Sequence, residues 1–336
     1  LKFIGVVLIN FSLLIGFVLI VELVSIPIYN SKYKEKDPND RIFPWSDYTS
    51  EYYDHNNKTQ WQLNAELQKP NESLDGKYNT SFTVDSNGGY RITPKVSDTH
   101  TKEIFFLGCS FTFGTGVNDD QTVPYFFQEI APEYKAYNFG VPGYGPIEAL
   151  DHLMHLREII PKETILNKSP IGIFIFFSDH INRTALNFSH MMWSNLRFLK
   201  VPIYKDEKLS DVEFLRNARP VTYFFYSLLQ MSRFIRILFM ELARENNSAE
   251  QKELYSEKDI KYTFRVLKDI ENEFYKKFPN GKFYIFNLDF RKVKEAGISI
   301  LNPDSRFNAP RLPDGHFNPQ GNRLMAKEIL KKLQPK

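Results

Sequence analysis

The run IGIFIFF at residues 171–177 carries no polar side chain. A strand with one wet face alternates apolar and polar residues. A strand that is apolar throughout belongs where both faces are covered, as in a parallel sheet between two helical layers. EIFFL (103–107), KAYNFG (135–140) and KFYIFNL (282–288) are further short runs of this kind. Amphipathic stretches separate them. In TVPYFFQEIA, Thr122 is a candidate N-cap and Pro124 falls in the first turn. IEALDHLMHLREII (147–160) puts Ile147, Leu150, Leu153, Met154 and Ile160 on one helical face. NPQGNRLMAKEILKKL (318–333) opens with an Asn cap and a proline, and directs Leu324, Ile329 and Leu330 inward. The alternation predicts an α/β three-layer sandwich: a central parallel sheet with right-handed crossovers, flanked by helices. Upstream, SFTVDSNGGYRITPK (81–95) places Asn87-Gly88-Gly89 between two short alternating strands, which predicts a β-hairpin.

The N-terminal part obeys another logic. Phe3 to Val21 has no charged residue, and about 20 helical residues cross a hydrocarbon core. Glu22 marks one edge, and Pro27 is expected to break the helix. The length of the run, the lone basic Lys2 before it and the lack of an A-x-A-like site predict a single-pass membrane anchor at 1–28 rather than a cleaved signal. Leu1 reads as an alternative start codon or a trimmed end. Lys32, Lys34 and Lys36 follow the span, but long domains cross largely regardless of charge, and an extracytoplasmic domain is expected. Residues 29–80, rich in Asn, Lys, Asp and Tyr, read as a polar stalk. The main domain is 81–336, interrupted by an insert at about 184–265 whose apolar stretch 221–245 reads as a helix packed on the domain, the alternative being a substrate-covering or membrane-facing helix. A net charge of +3 with scattered basic residues excludes a nucleic-acid footprint. A single cysteine, Cys109, excludes internal disulfides and a multi-cysteine metal site.

Ligands of parallel α/β sheets bind at the carboxyl ends of strands. Three such ends carry polar residues: Cys109-Ser110, Asn138 to Gly145, and Ser178 to Arg183; the loop LPDGHFNPQGN precedes the last helix. A serine where a strand gives way to a helix exposes its hydroxyl, and its N–H can face a developing oxyanion. It needs a base. His316 is the candidate, with Asp314 to orient its imidazole. Asp304 is the second candidate acid. Cys109 reads as a buried residue under the turn, and Phe111 and Phe113 as its packing. His152 and His155, with Asp151, read as a solvated helix face rather than a metal pair. Asn57, Asn71, Asn79 and Asn182 stand in glycosylation sequons, meaningful only where that pathway exists.

GCSFTFGTGV resembles the nucleophile block of the SGNH/GDSL hydrolases, NFGVPGYGP their second block, and DGHFNPQGNRLMA their last. SNGGYR resembles the segment that precedes the nucleophile strand in bacterial members. The resemblance spans about residues 83–330 without the insert. It implies a flavodoxin-like sandwich with Ser110 as nucleophile, Gly143 and Ser110 as oxyanion donors, His316 as base and Asp314 as its acid. Three departures stand out. Cys109 replaces the family's aspartate. Asp179 stands where an Asn amide completes the oxyanion hole, leaving Asp179, His180 or Asn182 as candidates for that third place. The acid and base are spaced Asp-x-His rather than Asp-x-x-His. The implied activity is that of a serine esterase or acyltransferase, without metal or organic cofactor, acting on an acyl (acetyl) ester of a carbohydrate or cell-envelope component. The alternative is a degenerate scaffold that binds a glycan or membrane partner without turnover.

Overall fold

The computed structural model describes residues 2–32, 53–54, 62–63, 71–72, 80–85, 90–95, 97, 100–156, 169–193, 196, 199–246, 255–288, 297–304 and 307–334. Most of the expected stalk, Asn57, Asn79, the hairpin tip at Asn87-Gly88-Gly89 and Ile160 lie outside them. The chain forms two compact units. One comprises 1–47, 188–199 and 214–254, the other 48–187, 200–213 and 255–336.

The larger unit is built on a five-stranded parallel sheet. Its strands are β1 (Lys102–Gly108), β2 (Tyr134–Gly140), β3 (Ile171–Phe176), β6 (Lys282–Asn287) and β7 (Ile300–Leu301), in the order β7-β6-β3-β1-β2. All adjacent pairs are parallel, with Ile104 opposite Ala136 and Ile171, and Ile285 opposite Phe174 and Ile300. The four long strands match the four apolar runs. Side-chain alternation sorts each strand into two cores. Phe105, Leu107, Phe174 and Phe176 face one layer; Ile104, Phe106, Ile173 and Ile175 face the other. Each such side chain removed from water contributes about 1.5–3 kcal/mol.

Helix α3 (Val123–Ile130) begins at Thr122, whose hydroxyl accepts the Tyr125 N–H. It packs with α10 (Pro319–Leu333), which begins at Asn318 with the side chain accepting the Gly321 N–H. On α10 the inward residues are Met325, Ala326 and Ile329, whereas Leu324 is exposed, contrary to the sequence reading. The other face carries α4 (Pro146–Met154), α5 (Asp179–Ala185) and α9 (Glu257–Lys277). Helix α9 starts inside the range assigned to the insert, yet Phe264, Leu267, Ile270 and Phe274 bury it in the core. The hairpin β4 (Lys200–Lys205) with β5 (Lys208–Phe214) was not foreseen; it turns through Asp206 and Glu207 at φ of 47° and 61°.

The solvated face expected around His152 is also corrected. Asp151 and His152 are buried. Lys200 Nζ lies 3.0 Å from both Asp151 carboxylate oxygens, and the His152 ring packs edge-on against Phe139 and Tyr144. Burial pulls His152 down to about 4, so it stays neutral at ordinary pH. The upstream hairpin is present on both sides of its tip. The Asp85 N–H reaches Tyr90 O, the Ile92 N–H reaches Thr83 O, and Arg91 bridges to Asn138 of β2.

The smaller unit is helical. Helix α1 (Lys2–Lys32) runs unbroken through Pro27, so the expected stop there does not occur. From Asn10 to Lys32 it is long and apolar enough to cross a membrane, with a mean hydropathy of 2.5. The apolar stretch of the insert is two helices, α7 (Pro220–Met231) and α8 (Arg233–Asn246), parted at Ser232. Helix α6 (Phe188–Trp193) packs against α7, and Gln230 Nε2 donates to the Met191 carbonyl at 2.7 Å.

Candidate active site

Strand β1 continues to β2 on one side, whereas its other neighbour β3 continues towards β6 on the far side, so the connections from the carboxyl ends of β1 and β3 diverge. A crevice opens at such a point. Ser110 stands there, at the start of the one-turn helix α2 (Ser110–Phe113). The turn closes through the Thr112 and Phe113 N–H groups on the Cys109 carbonyl. Gly140, at the end of β2, lies against this turn: a Cβ on it would sit 2.2 Å from the Phe113 nitrogen. Only a residue without a side chain lets the strand approach so closely. Cys109 is fully buried, and burial pushes its thiol up against a lowering pull from Arg183. It is an inert packing residue rather than a thiolate nucleophile.

The structure brings Ser110 and His316 together: Oγ and Nε2 are 2.8 Å apart. The loop that carries His316 is a tight hairpin. The Leu312 N–H donates to His316 O at 2.7 Å, and the Gly315 N–H to Leu312 O at 2.9 Å. Gly315 has a φ of +93°, a conformation costly for other residues. The turn puts Asp314 beside His316 despite the short Asp-x-His spacing. Asp314 Oδ1 accepts the His316 backbone N–H at 3.0 Å, and Oδ2 lies 3.0 Å from Nδ1. This second contact is close but does not meet the geometry of a directed hydrogen bond. Both side chains are mostly shielded, at 23% and 15% exposed. Asp304 serves elsewhere. Lys331 and Lys332 bind its carboxylate, and these hydrogen bonds lower it to about 2.

Gly143 lies in the β2–α4 turn at a φ of +86°. The following Tyr144 N–H closes the turn on Val141 O. The three candidates for the last oxyanion position differ in their surroundings. His180 is fully buried, wedged against Phe174, Phe176 and Phe177, and burial pulls its imidazole well below the usual range. Asn182 donates its amide to Asp179 Oδ1 at 3.2 Å. Asp179 remains on the rim, 44% exposed, with Arg183 Nε at 2.8 Å from Oδ2. Arg183 also donates to the Tyr144 carbonyl at 2.8 Å. The carboxylate is thus charge-balanced, and the guanidinium latches α5 to the Gly143–Tyr144 turn.

Two arginines escaped the sequence reading as supports of the site, and Phe111 packs there as that reading expected. Arg91, within SNGGYR, is 1% exposed. It binds Asp119 Oδ1 at 2.8 Å and the carbonyls of Phe113, Gly114 and Val117 at 3.0, 2.8 and 2.7 Å, fixing the segment that follows Ser110. Phe111 leans on the His316 ring at 5.3 Å and on Phe317 at 5.2 Å. Arg311 covers Phe317 and donates to Gly315 O at 2.6 Å, bracing the His316 hairpin. Among the described residues, no cluster of three His, Cys, Asp or Glu side chains is arranged to hold a metal ion.

No protein-family model and no curated protein sequence matches the chain. Among solved structures, it is similar to an acetyl xylan esterase from the rumen bacterium Butyrivibrio proteoclasticus, at 10% identity and a TM-score of 0.36. That match covers 70% of this chain and 64% of the esterase, so the chain spans under two thirds of its neighbour's length. It is also similar to a structure described as a lipolytic protein of the G-D-S-L family from Desulfitobacterium hafniense DCB-2, at 14% identity and a TM-score of 0.28, over 69% of this chain and 100% of that one.

Proposed function

We propose that the larger unit is a serine esterase or acyltransferase of the SGNH/GDSL type. The observation that carries this reading is the 2.8 Å contact between Ser110 Oγ and His316 Nε2, side chains 206 positions apart in the chain. Serine is activated when an adjacent imidazole takes its proton. Ser110 Oγ attacks the ester carbonyl while His316 Nε2 accepts the hydroxyl proton. The imidazolium is stabilised by the Asp314 carboxylate at Nδ1. The carbonyl oxygen becomes an oxyanion facing the Ser110 and Gly143 N–H groups. The tetrahedral intermediate collapses to an acyl-enzyme as His316 returns the proton to the departing alcohol. Water or an acceptor hydroxyl, deprotonated by the same nitrogen, then releases the acyl group. The proposed substrate is an acetyl or other small acyl ester of a carbohydrate or cell-envelope component. α1 serves as a single-pass anchor and the reaction takes place outside the cytoplasm.

One observation favours a second reading, a scaffold that binds without turnover: the Asp179 carboxylate stands where a hydrogen-bond donor belongs. A missing donor of this kind costs about 3 kcal/mol in the transition state, a hundredfold or more in rate. Its pairing with Arg183 reduces the repulsion. The test is labelling by a fluorophosphonate probe together with acetate release from an activated acetyl ester. The full chain reacts and turns over, and Ser110→Ala does neither. Equal turnover by the two proteins removes the role of Ser110; silence of both leaves the binding scaffold.

A further inference from the structure

The smaller unit has its polarity reversed. One stripe of α1, at Glu22, Ser25, Tyr29 and Lys32, turns towards its neighbours at spacings of three and four residues. Ser25 and Tyr29 are buried there. Glu22 accepts the Ser232 hydroxyl, and its other oxygen accepts the Arg233 N–H at 2.9 Å, capping the start of α8. Further along, Arg236 donates to the Tyr29 hydroxyl at 3.3 Å, and Lys32 pairs with Glu241 at 3.1 Å. Helix α8 therefore runs beside α1 in the same direction, over a polar seam.

The outside is apolar. On α7, Val221, Phe224, Phe225, Leu228 and Met231 form one stripe, and Phe234 and Leu238 continue it on α8. All are exposed, Val221 at 81% and Met231 at 68%. The exposed apolar surface of α1, including Leu23, Val24, Ile26 and Ile28, belongs to the same unit. Polar groups satisfied inside and large apolar groups facing out is the arrangement that a hydrocarbon solvent selects. A protein partner covers one side of a helix, whereas the consecutive exposed residues Phe17 to Ile20 present apolar surface all round that turn of α1. At 12 and 14 residues, α7 and α8 extend about 18 and 21 Å, too short to cross about 30 Å of hydrocarbon. The exposed Arg216, Arg219 and Arg233 flank α7, as suits contact with lipid phosphates.

We propose that α7 and α8 form a membrane-contacting module whose stripe from Val221 to Leu238 enters the acyl boundary beside α1. The inference rests on α1 being a membrane anchor, and the experiment separates the two. The full chain carries a single cysteine-linked nitrobenzoxadiazole label at Leu14→Cys, Phe225→Cys or Leu228→Cys. The native Cys109 is buried and does not compete. Each protein is reconstituted into phosphatidylcholine–phosphatidylglycerol vesicles with and without nitroxide-labelled lipid. All three positions are expected to emit in the blue, relative to the free dye conjugate in buffer, and to be quenched by the nitroxide. Quenching at Leu14 with water-like emission at Phe225 and Leu228 overturns the module and leaves the anchor. Blue emission without quenching at Phe225 and Leu228 overturns it in favour of a second copy of the chain. No quenching at Leu14 removes the anchor and the module with it.

Discussion

Replacing Arg91 with Met keeps the stem and deletes the guanidinium that binds four acceptors beside Ser110. The structure sets the magnitude. Asp119, whose side chain is 18% exposed, loses its 2.8 Å partner, and the carbonyls of Phe113, Gly114 and Val117 lose theirs. Removing one member of a buried charged pair costs about 3–5 kcal/mol. Each orphaned buried carbonyl costs about 1–3 kcal/mol if water does not reach it. The Phe113 carbonyl keeps the Asn138 amide and the Gly114 carbonyl keeps the Val117 N–H, so only the Val117 carbonyl is orphaned, and the lower ends of the two ranges give about 4 kcal/mol in all. For a unit of this size about 2–4 °C accompanies each kcal/mol, so Arg91→Met should lower Tm by roughly 10 °C. The assay is thermal unfolding of the full chain, with fluorophosphonate labelling well below Tm. Labelling should slow, because α2 is held from behind by this side chain. Arg91→Met/Asp119→Ala should lose less than the sum of the two single variants, since no carboxylate is left unpaired. A Tm drop under about 3 °C, or strict additivity, refutes the reasoning.

Asp314→Asn should cut kcat/KM on the order of a thousandfold with Tm nearly unchanged, because the imidazolium formed in the reaction loses its counter-charge; a loss under tenfold in steady-state ester hydrolysis would assign Asp314 to the loop alone. Stability should fall on acidification from about pH 6.5 to 4. The folded His152, lowered to about 4 by burial, refuses a proton that the unfolded chain accepts near its ordinary 6.5, and His180 acts in the same direction. Tm against pH should therefore rise through that window in the parent and rise less in His152→Leu; parallel curves contradict the assignment. Gly140→Ala places a methyl 2.2 Å from the Phe113 nitrogen and must shift α2, so probe labelling of Ser110 should drop tenfold or more; labelling at the parent rate would mean that the turn yields freely.

The sheet was readable because four of its strands are apolar on both faces, and runs such as IGIFIFF have few other uses. The fifth, Ile300–Leu301, is two residues long and carries no pattern. The hairpin in the insert was hidden for a different reason. Its turn places Asp206 and Glu207 at positive φ without the Asn-Gly or Asp-Gly pair that marks such turns. Helix α9 was obscured by charge: Glu271 and Glu273 are buried but paired with Lys268, Lys276 and Lys277, so a core helix reads as a wet one. The pairing of Ser110 with His316 was legible only because both fall at predicted strand or helix boundaries on one rim. Neutralisation of Asp179 by Arg183, one helical turn later, is a side-chain matter that residue types state and spacing permits, but only coordinates choose.

Ser110 leaves the ribosome long before His316, and the hairpin bearing the imidazole is carried by the same segment as α10, which closes one face of the sheet. A nascent polypeptide therefore holds its hydroxyl without any proton acceptor until the final layer docks. On the proposed mechanism, competence for acyl chemistry arrives only when that layer docks, and a nascent chain without it is chemically silent.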